Sequence, residues 1–136
     1  MASIRKELRL DTSAQDVWNA LRDFSAVHKN VVPGFVTELK MDGPEVRIVT
    51  FANGSTAREM LVSNDDQLRR QVYAIASEKL IAHSASVQVF DEGEGRSRLV
   101  WITDVLPHDV APYISSQMDD GLKVMKPALE RQPATA

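Results

Sequence analysis

Residues 107–130 read PHDVAPYISSQMDDGLKVMKPALE, and they decide the fold. Val110, Tyr113, Ile114, Gln117, Met118, Gly121, Leu122, Met125 and Leu129 recur three or four apart, which is one stripe of a long helix over about residues 109–131. Pro112 suits the first turn of that helix. Pro127 has no N–H to donate, so the sequence predicts a kink or a stop there.

Upstream the period changes from helical to alternating. Residues 96–106, 83–90 and 69–76 read as strands, and Asp91-Glu92-Gly93-Glu94-Gly95 joins the last two of these along the chain. Residues 46–51 and 56–62 flank Ala52-Asn53-Gly54-Ser55, a strong hairpin signal. Residues 63–67 are polar and turn-like, residues 35–41 read as a strand, and Asp42-Gly43-Pro44 forms its turn. Residues 24–33 are short and mixed, and suit a second short helix or turn. Ahead of them Ser13 can cap a helix over residues 14–22, with Asp16 in its first turn and Trp18 in its core face. Residues 4–10 alternate Ile4, Lys6, Leu8, Leu10 against Arg5, Glu7, Arg9, the pattern of a half-buried strand.

The order is therefore strand, two short helices, about six strands, then one long helix. Tight turns make the sheet antiparallel. Its apolar face needs a cover, and only the C-terminal helix is large enough. This is an α+β chain in which a curved antiparallel sheet of about seven strands wraps a long helix, and such wrapping leaves room for a cavity. The expected organisation is one domain over residues 1–131 and a disordered tail over 132–136.

Composition narrows the function. The chain has 136 residues, of which 43% are hydrophobic and 26% charged, with a net charge of −3. That offers no basic excess for nucleic acid. There is no cysteine, so disulfides, thiol nucleophiles and Cys-based zinc sites are excluded. The three histidines, His28, His83 and His108, show no metal-ligand spacing, and neither a hydrolase elbow nor a phosphate-cradling glycine loop occurs. No metal and no cofactor is expected. Residues 1–10 lack the apolar core of a signal peptide and no apolar run approaches ~20 residues, so a cytoplasmic protein without a membrane span is the expectation.

Four segments resemble one superfamily. AQDVWNALRDF (14–24) resembles its first helix, and GPEVRIVTFANGSTAREMLVSNDD (43–66) its Gly-x-x-Val-Arg hairpin with the returning Glu-x-Leu. RRQVYAI (69–75) resembles its Tyr-bearing strand, and VWITDVLP (100–107) its last strand with Trp, leading to Pro and the long helix. Together they identify the chain as similar, over about residues 4–129, to the SRPBCC superfamily. That group includes START lipid-transfer domains, birch-pollen-allergen relatives, plant abscisic-acid receptors and bacterial polyketide cyclase/dehydratase-like proteins. The resemblance implies the helix-grip fold and a ligand cavity between sheet and helix. Lys29, in VHKNVVPGF (27–35), stands near the ligand-contacting lysine of the abscisic-acid receptors. FANGSTA (51–57) replaces their Gly-Leu-Pro gate, so a hormone-receptor reading is not supported.

The hairpin holds the first candidate residues. A two-residue turn at Asn53-Gly54 would place Arg47 opposite Met60, with Arg47 and Glu59 on different faces. A three-residue loop with a bulge shifts the register by one and puts Arg47 opposite Glu59, on one face with Val49, Phe51, Ala57 and Leu61. The resemblance favours the second register. Alternation brings Tyr73 to the inner face with Gln71 and Ile75, and His83 to the inner face with Ala85 and Val87. By analogy with relatives, Trp101 lines the cavity. On the helix, Met118, Leu122 and Met125 would roof it, while Gln117 and Gly121 interrupt the apolar stripe and suggest space beneath.

Three functions compete. The first is binding of a small hydrophobic or amphipathic ligand (lipid-like, polyketide or aromatic), its polar end held by Arg47, Glu59, Tyr73, and also by His83 and Lys29. The second is a polyketide cyclase/dehydratase-type enzyme, with His83 or Glu59 as base and Tyr73 or Arg47 as donor. The third is a protein-interaction or regulatory partner, or a homodimer, through an apolar stripe of Ile48, Met60 and Val62 on the convex face.

Overall fold

A computed structural model describes residues 2–76 and 80–131. The tail expected to be disordered, residues 132–136, lies outside the described residues. The chain begins with β1 (Ala2–Leu10), α1 (Ala14–Leu21) and α2 (Val27–Asn30). The strands β2 (Val36–Met41), β3 (Val46–Phe51), β4 (Thr56–Asp65), β5 (Arg70–Ala76), β6 (Ala82–Gly93) and β7 (Arg96–Leu106) follow, and α3 (Ala111–Glu130) ends the fold. The strands form one seven-stranded sheet in the order β1-β7-β6-β5-β4-β3-β2. Every neighbouring pair is antiparallel. This is the helix-grip architecture.

Local chemistry sets the ends of the elements. Ser13 caps α1, its Oγ accepting from the Asp16 amide at 3.1 Å. One face of α1 buries Val17 and Trp18 completely, and the Trp18 indole N–H donates to Asp66 Oδ1 at 2.8 Å. Asp66, in the β4–β5 turn, also takes the Arg22 guanidinium, so that turn is tied to α1 rather than only solvated. At its far end α3 is fastened to β1. Lys126 donates to the Arg9 carbonyl, Glu130 accepts from the Asp11 amide, and Lys6 pairs with Asp119. Leu129, fully buried, joins Leu10, Val17, Trp18 and Leu99 in the core.

Three expectations about element ends need correction. The segment 63–67 is not a turn throughout: β4 runs on to Asp65, with a register shift between Leu61 and Ser63. The ladder to β5 outweighs the turn propensity of Ser63 and Asn64, and Asn64 finds a partner for its side chain in the Arg22 carbonyl. Pro127 does not stop α3, which continues to Glu130. Proline removes one backbone bond there, while buried Ala128 and Leu129 hold the last turn against the core and Arg131 returns to the Pro127 carbonyl. The long helix also starts later than its periodicity suggests, because residues His108–Val110 form a 3₁₀ turn first. No helix is long and apolar enough to cross a membrane, among the described residues.

Candidate functional site

The β3–β4 hairpin takes the three-residue loop. Phe51 and Ser55 close it, and Gly54 adopts φ +88° within it, a conformation glycine reaches without steric cost. The register then pairs Arg47 with Glu59 and Val49 with Ala57. Arg47 Nε donates to Glu59 Oε1 at 2.8 Å, and Arg47 Nη1 donates to the Phe24 carbonyl at 3.0 Å. The guanidinium carbon lies 3.8 Å from the centre of the Phe24 ring and 5.2 Å from that of Tyr73. Arg47 is only 3% exposed and Glu59 8%. The ion pair is thus interior, and its charges are balanced by each other, by a carbonyl dipole and by two aromatic faces.

Beside the pair is a cavity of about 120 Å³. It lies between the inner face of β2–β7 and α3, with α1 and α2 closing one side. Val49, Phe51, Ala85, Val87, Met118 and Met125 give it a largely apolar wall. Gln71, Tyr73, His83, Trp101, Thr103 and Gln117 also line it. Ten of the twelve candidate residues therefore border one space: Arg47, Val49, Phe51, Glu59, Tyr73, His83, Trp101, Gln117, Met118 and Met125.

The other two do not. A Cβ on Gly121 would lie 3.3 Å from Trp101 Cζ3 and 3.6 Å from Phe35 Cε2. The room that glycine creates is filled by those two rings rather than by the cavity. Leu122 packs half-buried against the core outside the cavity wall. Lys29 is exposed on α2 and also stands outside the wall, since its position on that single turn points its long chain to water. Sequence reasoning missed the part of Phe24, whose ring and carbonyl both serve Arg47. Its place directly after the Arg22-Asp23 end of α1 was the available signal.

The site's titratable groups are held neutral or paired. Burial, with the Glu59 charge adding to it, pushes the Tyr73 phenol well above its ordinary value, so it stays protonated. Its hydroxyl donates to no acceptor among the described residues. The Trp101 indole N–H is buried and makes no well-formed hydrogen bond, although it stands close enough to favour the phenolate slightly. Burial lowers the His83 pKa, which leaves a neutral imidazole at pH 7. His83 has no side-chain hydrogen-bond partner among the described residues. Gln117 is held by its own helix, its Nε2 donating to the Tyr113 hydroxyl at 2.7 Å. No group of three or more His, Cys, Asp or Glu side chains could hold a metal, among the described residues.

The fold has many solved counterparts. XoxI from Bacillus cereus is 20% identical, with a TM-score of 0.84 over 96% of this chain and 97% of its own. An uncharacterised protein from Bacillus thuringiensis is 19% identical, with a TM-score of 0.83 over 94% and 98%. Truncated norcoclaurine synthase from Thalictrum flavum is 17% identical, with a TM-score of 0.75 over 96% and 91%. That enzyme has also been solved in complex with dopamine and hydroxybenzaldehyde. At these identities the likeness is one of fold. Comparison with curated protein sequences returns no match. The model of one family, polyketide cyclase / dehydrase and lipid transport, matches residues 1–130. With that match over almost the whole sequence and the helix-grip architecture beneath it, the chain belongs to the polyketide cyclase / dehydrase and lipid transport family of the SRPBCC superfamily.

Proposed function

We propose that this chain binds a small, mostly apolar molecule in the cavity between its sheet and α3, with the polar end of the molecule toward Tyr73 and the Arg47–Glu59 pair. The observation that carries this reading is the cavity itself. Protein interiors leave few voids larger than a water molecule, whereas this one measures about 120 Å³ and joins an apolar wall to a few convergent polar groups. Size selects the ligand class. An apolar cavity of ~150 Å³ takes benzene, so a single ring or a short chain fits, while a long acyl chain exceeds the volume. Norcoclaurine synthase, which shares the fold, is known with two single-ring compounds bound. Native mass spectrometry of protein isolated from its source tests the reading. The expected result is one small molecule per chain, released on unfolding. A long-chain lipid in its place would contradict the size argument.

A second reading is catalysis in the same cavity, and one observation favours it. His83 as a neutral imidazole and Tyr73 as a protonated phenol border one space, a base and a donor for proton abstraction next to a carbonyl. Glu59 is the weaker candidate base because Arg47 already occupies its carboxylate. Exchange of the methyl protons of acetophenone in D₂O, followed by NMR, tests this: the wild type should accelerate it and His83→Gln should not. A protein-interaction role draws less support. Val62 is 64% exposed, but Ile48 and Met60, the other members of the expected stripe, are half-buried.

A further inference from the structure

Arg47 and Glu59 contribute one positive and one negative charge to the cavity wall, and they are its only charged side chains among the described residues. The guanidinium is already committed through Nε to Glu59 and through Nη1 to the Phe24 carbonyl, and it is stacked on Phe24. An arginine in a ligand cavity ordinarily reads as an anchor for a carboxylate or phosphate. Here Glu59 already balances that charge, so what the guanidinium still offers is N–H donors, not an unpaired positive charge. An anion entering the cavity would shed its hydration and meet a positive charge whose counter-charge stands 2.8 Å away. A cation would meet Glu59 under the same handicap. Tyr73, by contrast, carries a hydroxyl proton with no acceptor among the described residues, at the end of a large apolar surface.

We propose that the molecule held in this cavity is an electrically neutral, single-ring compound with a hydrogen-bond acceptor for the Tyr73 hydroxyl, and that mutual cancellation within the Arg47–Glu59 pair is what keeps the apolar cavity from becoming an ion site. The proposal rests on the ligand-binding reading above and adds the charge class and the residues that set it. It also makes the pair a selectivity filter whose sign can be changed. Glu59→Gln keeps an acceptor for Arg47 Nε but removes the balancing charge, which turns the wall into an anion site. Arg47→Met does the reverse.

The test compares three probes with the same ring and one-carbon arm: benzyl alcohol, benzoate and benzylammonium. Dissociation constants are measured on the full chain by NMR titration at pH 7. In the wild type, benzyl alcohol should bind more tightly than either ion by roughly tenfold or more. In Glu59→Gln the order of benzyl alcohol and benzoate should reverse. If that variant fails to fold, Arg47→Met should gain benzylammonium. The double variant Arg47→Met/Glu59→Met should retain the neutral preference, because no charge remains. Benzoate or benzylammonium binding the wild type as tightly as benzyl alcohol overturns the proposal and leaves the ligand-binding reading standing. A folded single variant with unchanged selectivity overturns the filter role. Failure of all three probes to bind the wild type overturns the ligand-binding reading itself.

Discussion

Gly121 on α3 faces Trp101 on β7 so closely that a Cβ on the glycine would stand 3.3 Å from the indole Cζ3. The glycine costs the helix about 1 kcal/mol relative to alanine, and what it gains is the seat of a ring that borders the cavity. Gly121→Ala sets the recovered helix propensity against a contact that the indole must relieve by a few tenths of an ångström, while Phe35 Cε2 at 3.6 Å is in ordinary contact. The expected change in unfolding free energy is close to zero. Gly121→Val has no such balance and should lose about 1–3 kcal/mol by overpacking. Urea denaturation followed by tryptophan fluorescence measures both. A valine variant as stable as the wild type would show that the rings have room to move.

The buried pair should behave as a unit. Removing either partner alone, as in Arg47→Met or Glu59→Leu, strands the other charge in the interior, and about 3–5 kcal/mol should be lost. Replacing both with apolar residues of similar volume should be nearly neutral, since desolvation of two ions is relieved together. A double-mutant cycle in urea therefore predicts a coupling of several kcal/mol. Additive losses would mean that the two side chains do not depend on each other.

His83 gives the fold a pH dependence of known sign. Its folded pKa is lowered by burial, below the ~6.5 of the unfolded chain. As pH falls through that unfolded value, the unfolded chain takes up a proton that the folded protein resists, so stability falls. The loss stops growing once pH is below the folded pKa. His28, also lowered by burial and by Lys29, contributes in the same direction. Between pH 7.5 and pH 5, His83→Gln should therefore lose less stability than the wild type. Equal pH slopes for the two proteins would contradict the burial of the imidazole. A ligand that occupies the cavity should steepen the wild-type slope, because it further excludes water from His83.

The alternating strands and the long stripe of α3 were readable because a half-buried element repeats its period over many residues. Arg47 and Glu59 were readable as a facing pair once the loop at Asn53-Gly54 was counted as three residues. Choosing that count took more than the hairpin sequence, which allows both registers. The misplaced residues share a cause. Gly121 leaves space, but nothing along α3 says which neighbour fills it, since Trp101 and Phe35 arrive from distant segments. Lys29 resembles a family position, yet a single helical turn such as α2 can present a side chain in any direction. Pro127 breaks an isolated helix more readily than one whose last turn is pinned by Ala128 and Leu129. The extension of β4 through Ser63 and Asn64 depends on a partner strand, which local propensity does not report.

The central claim is that the apolar space beside Trp101 admits a small ring. Its most direct test is the two-dimensional NMR spectrum of ¹⁵N-labelled protein during titration with benzyl alcohol. Trp18 is fully buried away from the cavity, its N–H held by Asp66, so the two indole signals serve as probe and internal control. A saturable shift of the Trp101 indole, with that of Trp18 unmoved, is the predicted result. No shift of the Trp101 signal at saturating probe, or equal shifts of both, would contradict it.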